Sequence, residues 1–315
     1  MRHLVLLALV SCAPRPGQLF VPVGAGDAGE TSSATDGGRP CTPICTAWTN
    51  PRPVGLVLSP VVELSGLVAS RRQSGVLFAH NDSGDSARFW ALSATNAAIL
   101  QEFTVQGATN RDWEDLGYGP CGDAGTCLFL GDIGDNNRVR TDYAVYVVPE
   151  PQVTSGGAMM SVPGERLPFQ YPNAERHNAE SLIVDPSSGR PYVLTKEPGG
   201  QASLVFRFPL PLTPGTQVTL EPVATLPVPT PTDLQLTGAD VSPCGDALLL
   251  RMYNRLVMLT ADGGLESAFT AAPQSVPVAQ EGQGEAVAFS ADGRSYFTAS
   301  ETLTAAPDLF QSTCR

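Results

Sequence analysis

From Val54 onward, short apolar runs alternate with turn residues every eight to twelve positions. That texture predicts short strands joined by turns rather than amphipathic helices. A unit recurs five times, each beginning with an acidic residue followed by small and apolar ones: "VELSGLVAS" at Glu63, "WEDLGYG" at Glu114, "AESLIVDP" at Glu180, "GADVSPCGD" at Asp240 and "GEAVAFSADG" at Glu285. The starts are 51, 66, 60 and 45 residues apart, close to the roughly 40 to 50 of one propeller blade with longer loops in the middle units.

Each start is followed by a second apolar run ("SGVLFAHND", "TCLFLGDIGD", "RPYVLTKE", "DALLLRMY", "RSYFTASE"), and most by a third ("RFWALS", "YAVYVVPE", "LVFRFPL", "RLVMLT"). Fourth strands can be drawn through "ILQEFTV", "GERLPFQY", "QVTLEPVATL" and "LESAFTA". Four antiparallel strands per unit make a β-propeller blade. The expected fold is all-β, a propeller of five blades; a sixth would require a degenerate unit hidden in one of the long intervals. The last unit is short, and "PVGLVLSP" at 53 to 60 is a spare strand ahead of the first blade. Added to the last blade, it would close the ring and remove exposed edges.

Composition agrees: 31 Gly and 28 Pro among 315 residues favour many turns, and 42% hydrophobic residues suffice for a substantial core. The first 52 residues differ. "MRHLVLLALVSC" has a basic start and a seven-residue apolar run, Leu4 to Val10, too short for a membrane span of about 20 residues. It reads as a signal peptide over 1 to 11 whose "LVSC" matches a bacterial lipobox, with Cys12 as lipid anchor; a plain signal with an incidental cysteine is the alternative. Residues 13 to 52 are Gly-, Ser-, Thr-, Asp- and Pro-rich and read as a flexible tether, leaving 53 to 315 as the propeller domain. The protein is thus expected to be an exported monomer on the outer membrane, facing the periplasm or the cell surface.

With Cys12 lipidated, seven cysteines become six, an even number in an oxidising compartment. Cys41/Cys45 and Cys121/Cys127 could close small loops, leaving Cys244 with Cys314, although six cysteines allow 15 pairings. No CxxC pair calls for zinc. Cleavage before Cys12 removes Arg2 and leaves 18 basic against 31 acidic residues, a net charge of −13, which argues against nucleic acid as a partner.

In a propeller, the starts of first strands and the ends of second strands face one funnel. The first set gives Glu63, Asp112, Glu114, Asp115, Glu180, Asp240 and Glu285. The second gives His80, Asn81, Asp82, Asp132, Asp135, Asn136, Lys196, Glu197, Arg251, Tyr253 and Glu301. Lys196 is the only lysine, and both histidines beyond the signal precede asparagine, in "HNDSG" and "HNAES". Two carboxylates about 4 Å apart repel by ~4 kcal/mol at an effective dielectric near 20. Something must offset this: a hard cation with oxygen ligands, pairing with Lys196 and Arg251, or raised pKa values that create a general acid.

The expected metal ligands are therefore Glu63, Asp82, Asp115, Asp132, Asp135, Glu180, Asp240 and Glu285, with Ca²⁺ as the ion. Glu114, His80 and His177 are the acid–base candidates, the histidines having packing between blades as their alternative. Lys196, Arg251, Tyr253, Asn81 and Asn178 are candidates for holding a small-molecule or glycan ligand. "GDIGDNN" is not an EF-hand loop, because Gly134 breaks the alternation of ligands, and no GxSxG marks a serine nucleophile. Trp113 is expected to pack beneath the site rather than stack on a sugar.

Taken in order, "ELSGL", "HNDSG", "DWEDL", "GDIGDN", "HNAESL", "LTK", "TGAD" with "LRMY", and "QGEA" with "SE" resemble bacterial exported β-propeller proteins near the "esterase-like activity of phytase" group. The resemblance spans about 55 to 302 and implies a propeller with an acidic funnel, without a settled substrate. "SPCGD" departs from the usual "SPDG" turn by placing Cys244 where aspartate is common, which suits a disulfide anchor. Two functions are expected in turn: a cation-binding hydrolase of an ester, lactone or phosphoester, and a non-enzymatic module for a glycan or protein partner. Glycoside hydrolysis by paired carboxyls is a third, and depends on a separation of roughly 5 to 9.5 Å.

Overall fold

The innermost strand of every blade is buried along its whole length: Leu64–Ala69, Trp113–Pro120 but for its last residue, Ala179–Val184, Leu236–Val241 and Gly284–Phe289. These strands are covered on both faces, which is why the sequence shows apolar runs there instead of strict alternation. The computed structural model describes residues 44–199, 201–227, 235–301 and 306–315, plus a two-stranded pairing of Thr35–Asp36 with Arg39–Pro40. The proposed signal, the lipid site at Cys12 and most of the tether lie outside the described residues.

Five antiparallel sheets follow one another in sequence. Blade 1 is Leu64–Ala69, Val76–Asn81, Arg88–Ser93 and Ile99–Gln106; blade 2 is Trp113–Pro120, Thr126–Asp132, Ala144–Pro149 and Glu165–Gln170. Blade 3 is Ala179–Val184, Pro191–Thr195, Leu204–Arg207 and Glu221–Thr225; blade 4 is Leu236–Val241, Ala247–Met252, Arg255–Thr260 and Gln274–Val276. Blade 5 is Gly284–Phe289, Ser295–Ser300 and Asp308–Thr313, completed by Arg52–Leu56 from the start of the domain. Innermost strands of neighbouring blades touch around a closed circuit, blade 5 against blade 1 included. Five separate hydrophobic clusters fill the five gaps. The chain is a five-bladed β-propeller, with no sixth blade among the described residues.

Two short strands extend the blades. Met160–Pro163 pairs parallel to the outer strand of blade 1, and Val218–Thr219 parallel to that of blade 2. Both cover an edge that would otherwise offer free backbone groups. One expected strand is corrected: within "LESAFTA", Leu265–Ala268 is a short helix, and Gln274–Val276 supplies the outer strand of blade 4. Leu, Glu and Ala are good helix formers, and Leu265 and Ala268 are its buried face.

Ring closure follows the expected strand, but the cysteine pairing differs. Cys121–Cys127 forms as expected, whereas Cys314 pairs with Cys45 instead of Cys244; Cys244 is disulfide-bonded as well. The Cys45–Cys314 bond therefore fastens the incoming chain to the last strand, rather than blade 5 to blade 4. Trp48, 5% exposed, packs on Tyr296 at 4.9 Å between centroids, and residue 48 bridges to Cys314. Residues 44 to 52, the end of the expected tether, are thus part of the propeller's packing. No helix among the described residues is long and apolar enough to cross a membrane.

Candidate functional site: an acidic funnel

All five innermost strands carry a register shift at the same place, between Leu64 and Gly66, Trp113 and Asp115, Ala179 and Ser181, Leu236 and Gly238, and Gly284 and Ala286. The extra residue of each bulge is Ser65, Glu114, Glu180, Thr237 or Glu285. A bulge leaves one residue unpaired and re-aims its side chain. In blades 1 and 4 this residue is a hydroxyl tied to the next blade: Ser65 Oγ donates to the Glu114 carbonyl, and Thr237 Oγ1 to the Gly284 carbonyl at 2.8 Å. Gly66 and Gly238 follow these bulges, and a Cβ at Gly238 would run into the Glu285 carbonyl. The other three blades present glutamates.

Around those glutamates the ends of the second strands add Asp82, Lys196, Tyr253 and Glu301. One carboxylate oxygen each from Asp82, Asp112 and Glu114 lie within 4.8 Å of one another. On the other side, Lys196 Nζ is 2.9 Å from Glu180 Oε2 and 5.0 Å from the Tyr253 ring centre. Asn178 Nδ2 donates to Glu180 Oε1 at 3.0 Å. Gln283 Nε2 donates to Glu285 Oε1 at 3.2 Å and to Glu301. Buried Glu285 Oε2 has no hydrogen-bond partner among the described residues.

Six carboxyls thus meet one ammonium, and their protonation reflects it. Burial, with Glu180 and Asp112 nearby, pushes Asp82 up to about 7. Burial and Glu180 push Glu285 up to about 9 and Glu114 well above its ordinary range. Asp112 and Glu301 are raised as well, both chiefly by burial. Burial opposes the charge of Lys196, but Glu180 and Glu285 outweigh it and raise its pKa. Such a cluster lowers its energy by holding protons or by binding a cation.

The remaining expected residues go elsewhere. Asp115, one residue past the bulge, lies beneath the funnel and accepts backbone N–H groups from Leu116 at 2.8 Å, Leu182 at 2.9 Å and Ala239 at 3.3 Å, joining blades 2, 3 and 4. Asp240, deeper still, accepts from Val241 and from Phe289 of blade 5 at 2.7 Å. Neither faces the mouth as a metal ligand would.

Asp132 and Asp135 also leave the metal set. Asp132 pairs with buried Arg140 at 2.7 Å. Asp135 accepts from the backbone of Val139 and Arg140 and from Tyr143 Oη at 2.6 Å, and those bonds outweigh burial to lower its pKa. The "GDIGDNNR" loop is consequently built on its own acids. Glu63 stands partly buried at the rim, near enough to Glu301 to raise it.

His80 is fully buried between blades 1 and 2: Nδ1 meets the Asn81 carbonyl at 2.8 Å, and the ring lies edge-on to Trp113, itself buried. His177 lies beside the mouth, its Nδ1 3.1 Å from Glu197 Oε1, and packs on Tyr171 and Phe206. Asn81 holds the Pro60 carbonyl and Asp85. Arg251 is wholly buried, pressed flat against Gly284 and paired with Glu281 at 2.7 Å, so it cannot reach a ligand in the funnel. Of the expected ligand-holding residues, Lys196, Tyr253 and Asn178 do converge on the mouth.

Gln283, Arg140 and Glu281 were not anticipated. Gln283 had a signal in the repeat: the residue two before each bulge is polar in all five blades, as Glu63, Asp112, Asn178, Gln235 and Gln283. Arg140 and Glu281 come from loops outside the repeat, where no such pattern exists.

The fold and site define a five-bladed β-propeller with an acidic funnel. No protein-family model matches the chain, and no curated sequence does. Among solved structures, the PQQ-bound aldose sugar dehydrogenase of Streptomyces coelicolor is 12% identical with a TM-score of 0.48, over 84% of this chain and 98% of that one. A hydrazine synthase from Kuenenia stuttgartiensis is 12% identical with a TM-score of 0.39, over 75% and 68%. The periplasmic gluconolactonase of Pseudomonas aeruginosa is 17% identical with a TM-score of 0.36, over 74% and 64%. Likeness at this level carries nothing about the chemistry of the funnel.

Proposed function

We propose that the funnel binds a hard divalent cation, calcium, at Asp82, Asp112 and Glu114, and hydrolyses an ester, lactone or phosphoester beside it. The observation that carries this reading is the approach of three carboxylate oxygens from two blades to within 4.8 Å, in a mouth where six carboxyls face one lysine. The donor set fits: calcium takes six to eight oxygens, and three carboxylates with water can supply them. Bound there, the ion would supply positive charge to the oxygen that becomes anionic in the reaction.

The chain's own residues divide the proton work. Glu285, whose pKa near 9 keeps it protonated at neutral pH, gives its proton to the leaving oxygen as the acyl–oxygen bond breaks. Glu180, held in an ion pair by Lys196 and oriented by Asn178, takes the proton of the water whose oxygen bonds to the acyl carbon. A carboxyl kept protonated beside one kept in an ion pair separates the acid and base roles. Export as a lipoprotein anchored at Cys12, in the propeller group that the motifs resemble, completes the reading.

Thermal melts in EDTA and in calcium test the ion, on wild type and on Asp82→Asn/Asp112→Asn. Calcium at 100 times its Kd should stabilise wild type by about 2.7 kcal/mol and the double variant far less. An unchanged wild-type melting temperature sinks the cation site. Calcium binding without turnover on ester, lactone and phosphate panels would assign the funnel to glycan or protein recognition instead.

A further inference from the structure

We infer that the funnel admits uncharged ligands and turns anionic ones away, which makes an uncharged carboxylic ester or lactone, and not a phosphoester, its substrate class. This rests on the reading of the funnel as the working site, and it removes one of the three substrates named above. Four observations support it. Among the described residues, Lys196 is the one basic side chain with an ion pair to a carboxyl of the mouth. Its ammonium is already engaged by Glu180 and lies over Tyr253, so it is a counter-ion and not a vacant receptor for phosphate.

Arg251, the other cation that sequence pattern aims at the funnel, has no exposed surface and is paired with Glu281 behind Gly284. Finally, a carboxyl oxygen of the mouth, Glu285 Oε2, on a residue 5% exposed, has no hydrogen-bond partner among the described residues. It can hydrogen-bond a hydroxyl or, when protonated, a neutral carbonyl. A phosphate dianion there would meet Asp82, Asp112, Glu114, Glu180, Glu285 and Glu301. With Glu285 protonated, a bound divalent ion together with Lys196 still leaves up to two of the other five charges uncompensated.

Lys196 is the only lysine of the chain, and therefore reports on the funnel without reference to metal or turnover. The full-length protein is treated at pH 8 with the N-hydroxysuccinimide ester of acetate or its sulfonated, anionic form, and acetylation of Lys196 is followed by peptide mass spectrometry. The ratio of the two rates cancels the amine's own reactivity. Gln217→Lys, on an exposed position, gives the surface reference.

We expect the neutral reagent to outpace the anionic one at least tenfold more at Lys196 than at residue 217. The preference should shrink in 1 M salt, where the screening length is about 3 Å, and in Asp112→Asn/Glu301→Gln. Should Lys196 react with neither reagent, Gln283→Cys and Gln217→Cys with neutral and sulfonated methanethiosulfonates give the same comparison. Equal ratios at mouth and surface overturn the inference. So does faster hydrolysis of p-nitrophenyl succinate than of p-nitrophenyl butyrate. A preserved preference with no hydrolysis of either ester would retire the hydrolase and leave charge selection standing.

Discussion

Asp115→Ala tests the architecture beneath the funnel. Its carboxylate accepts three backbone N–H groups, from Leu116, Leu182 and Ala239, and the residue is 1% exposed. Alanine leaves three donors in the centre of the ring without acceptors. Each such group costs about 1–3 kcal/mol, so the sum is roughly 3–9 kcal/mol, and water entering the vacated space would bring it toward the lower end. Against a typical total of about 5–15 kcal/mol, that loss is a large fraction of the protein's stability. Asp115→Asn keeps one oxygen, which can serve Leu182 and Ala239 together, and forfeits the bond to Leu116, a cost of about 1–3 kcal/mol. Asparagine also avoids the charge burial that raises the Asp115 pKa, which brings its cost to the low end. Urea denaturation should give midpoints in the order wild type, Asn, Ala, with unchanged slopes. A loss under about 1 kcal/mol for Asp115→Ala would refute the view that this carboxylate joins three blades.

Further outcomes follow from the same geometry. Because Asp82 titrates near 7 in the fold against about 3.9 unfolded, the metal-free protein gains stability from it at low pH and loses it as pH rises toward 7. Calcium needs the deprotonated form, so the stabilisation by calcium over EDTA should grow from pH 5 to pH 8, and a flat difference would contradict the site. Glu197, lowered to about 2 by its bonds from His177, Thr195 and Arg138 against the opposing effect of burial, contributes stability above about 4.5 that fades as pH falls. His177, raised chiefly by Glu197, contributes below about 6.5 and fades as pH rises through its folded value. The stability lost in His177→Gln should therefore peak between about pH 4.5 and 6.5, and a loss independent of pH would assign His177 to packing alone. Replacing Cys45 and Cys314 by serine should cost about 2–4 kcal/mol in urea, while no loss would mean the N-terminal strand closes the ring unaided. Mass spectrometry of the mature N-terminus should find a diacylated Cys12, and an unmodified terminus elsewhere would remove the anchor.

The sequence by itself determined the blades. Their strands pack on both faces, so each must be an apolar run, and such runs separated by turns can be read locally. The spare strand at the start, the short last unit and the recurrent acids gave five blades, their closure and the existence of an acidic mouth for the same reason. Which acid faces that mouth was decided only by the tertiary structure. Side chains alternate along a strand, and a single bulge moves every later residue to the other face. Glu114 and Asp115 are neighbours in "DWEDL", yet one enters the funnel and the other binds three blades together beneath it. Blades 1 and 4 show the same effect: Glu63 and Asp240 are in the repeat by composition, but Ser65 and Thr237 occupy the bulge. Asp132 and Asp135 look like ligands in a linear reading and are spent on Arg140, Tyr143 and the backbone of their own loop. The pairing of Cys314 with Cys45, 269 residues away, depended on where the closing strand lies in space, a distance no local pattern encodes.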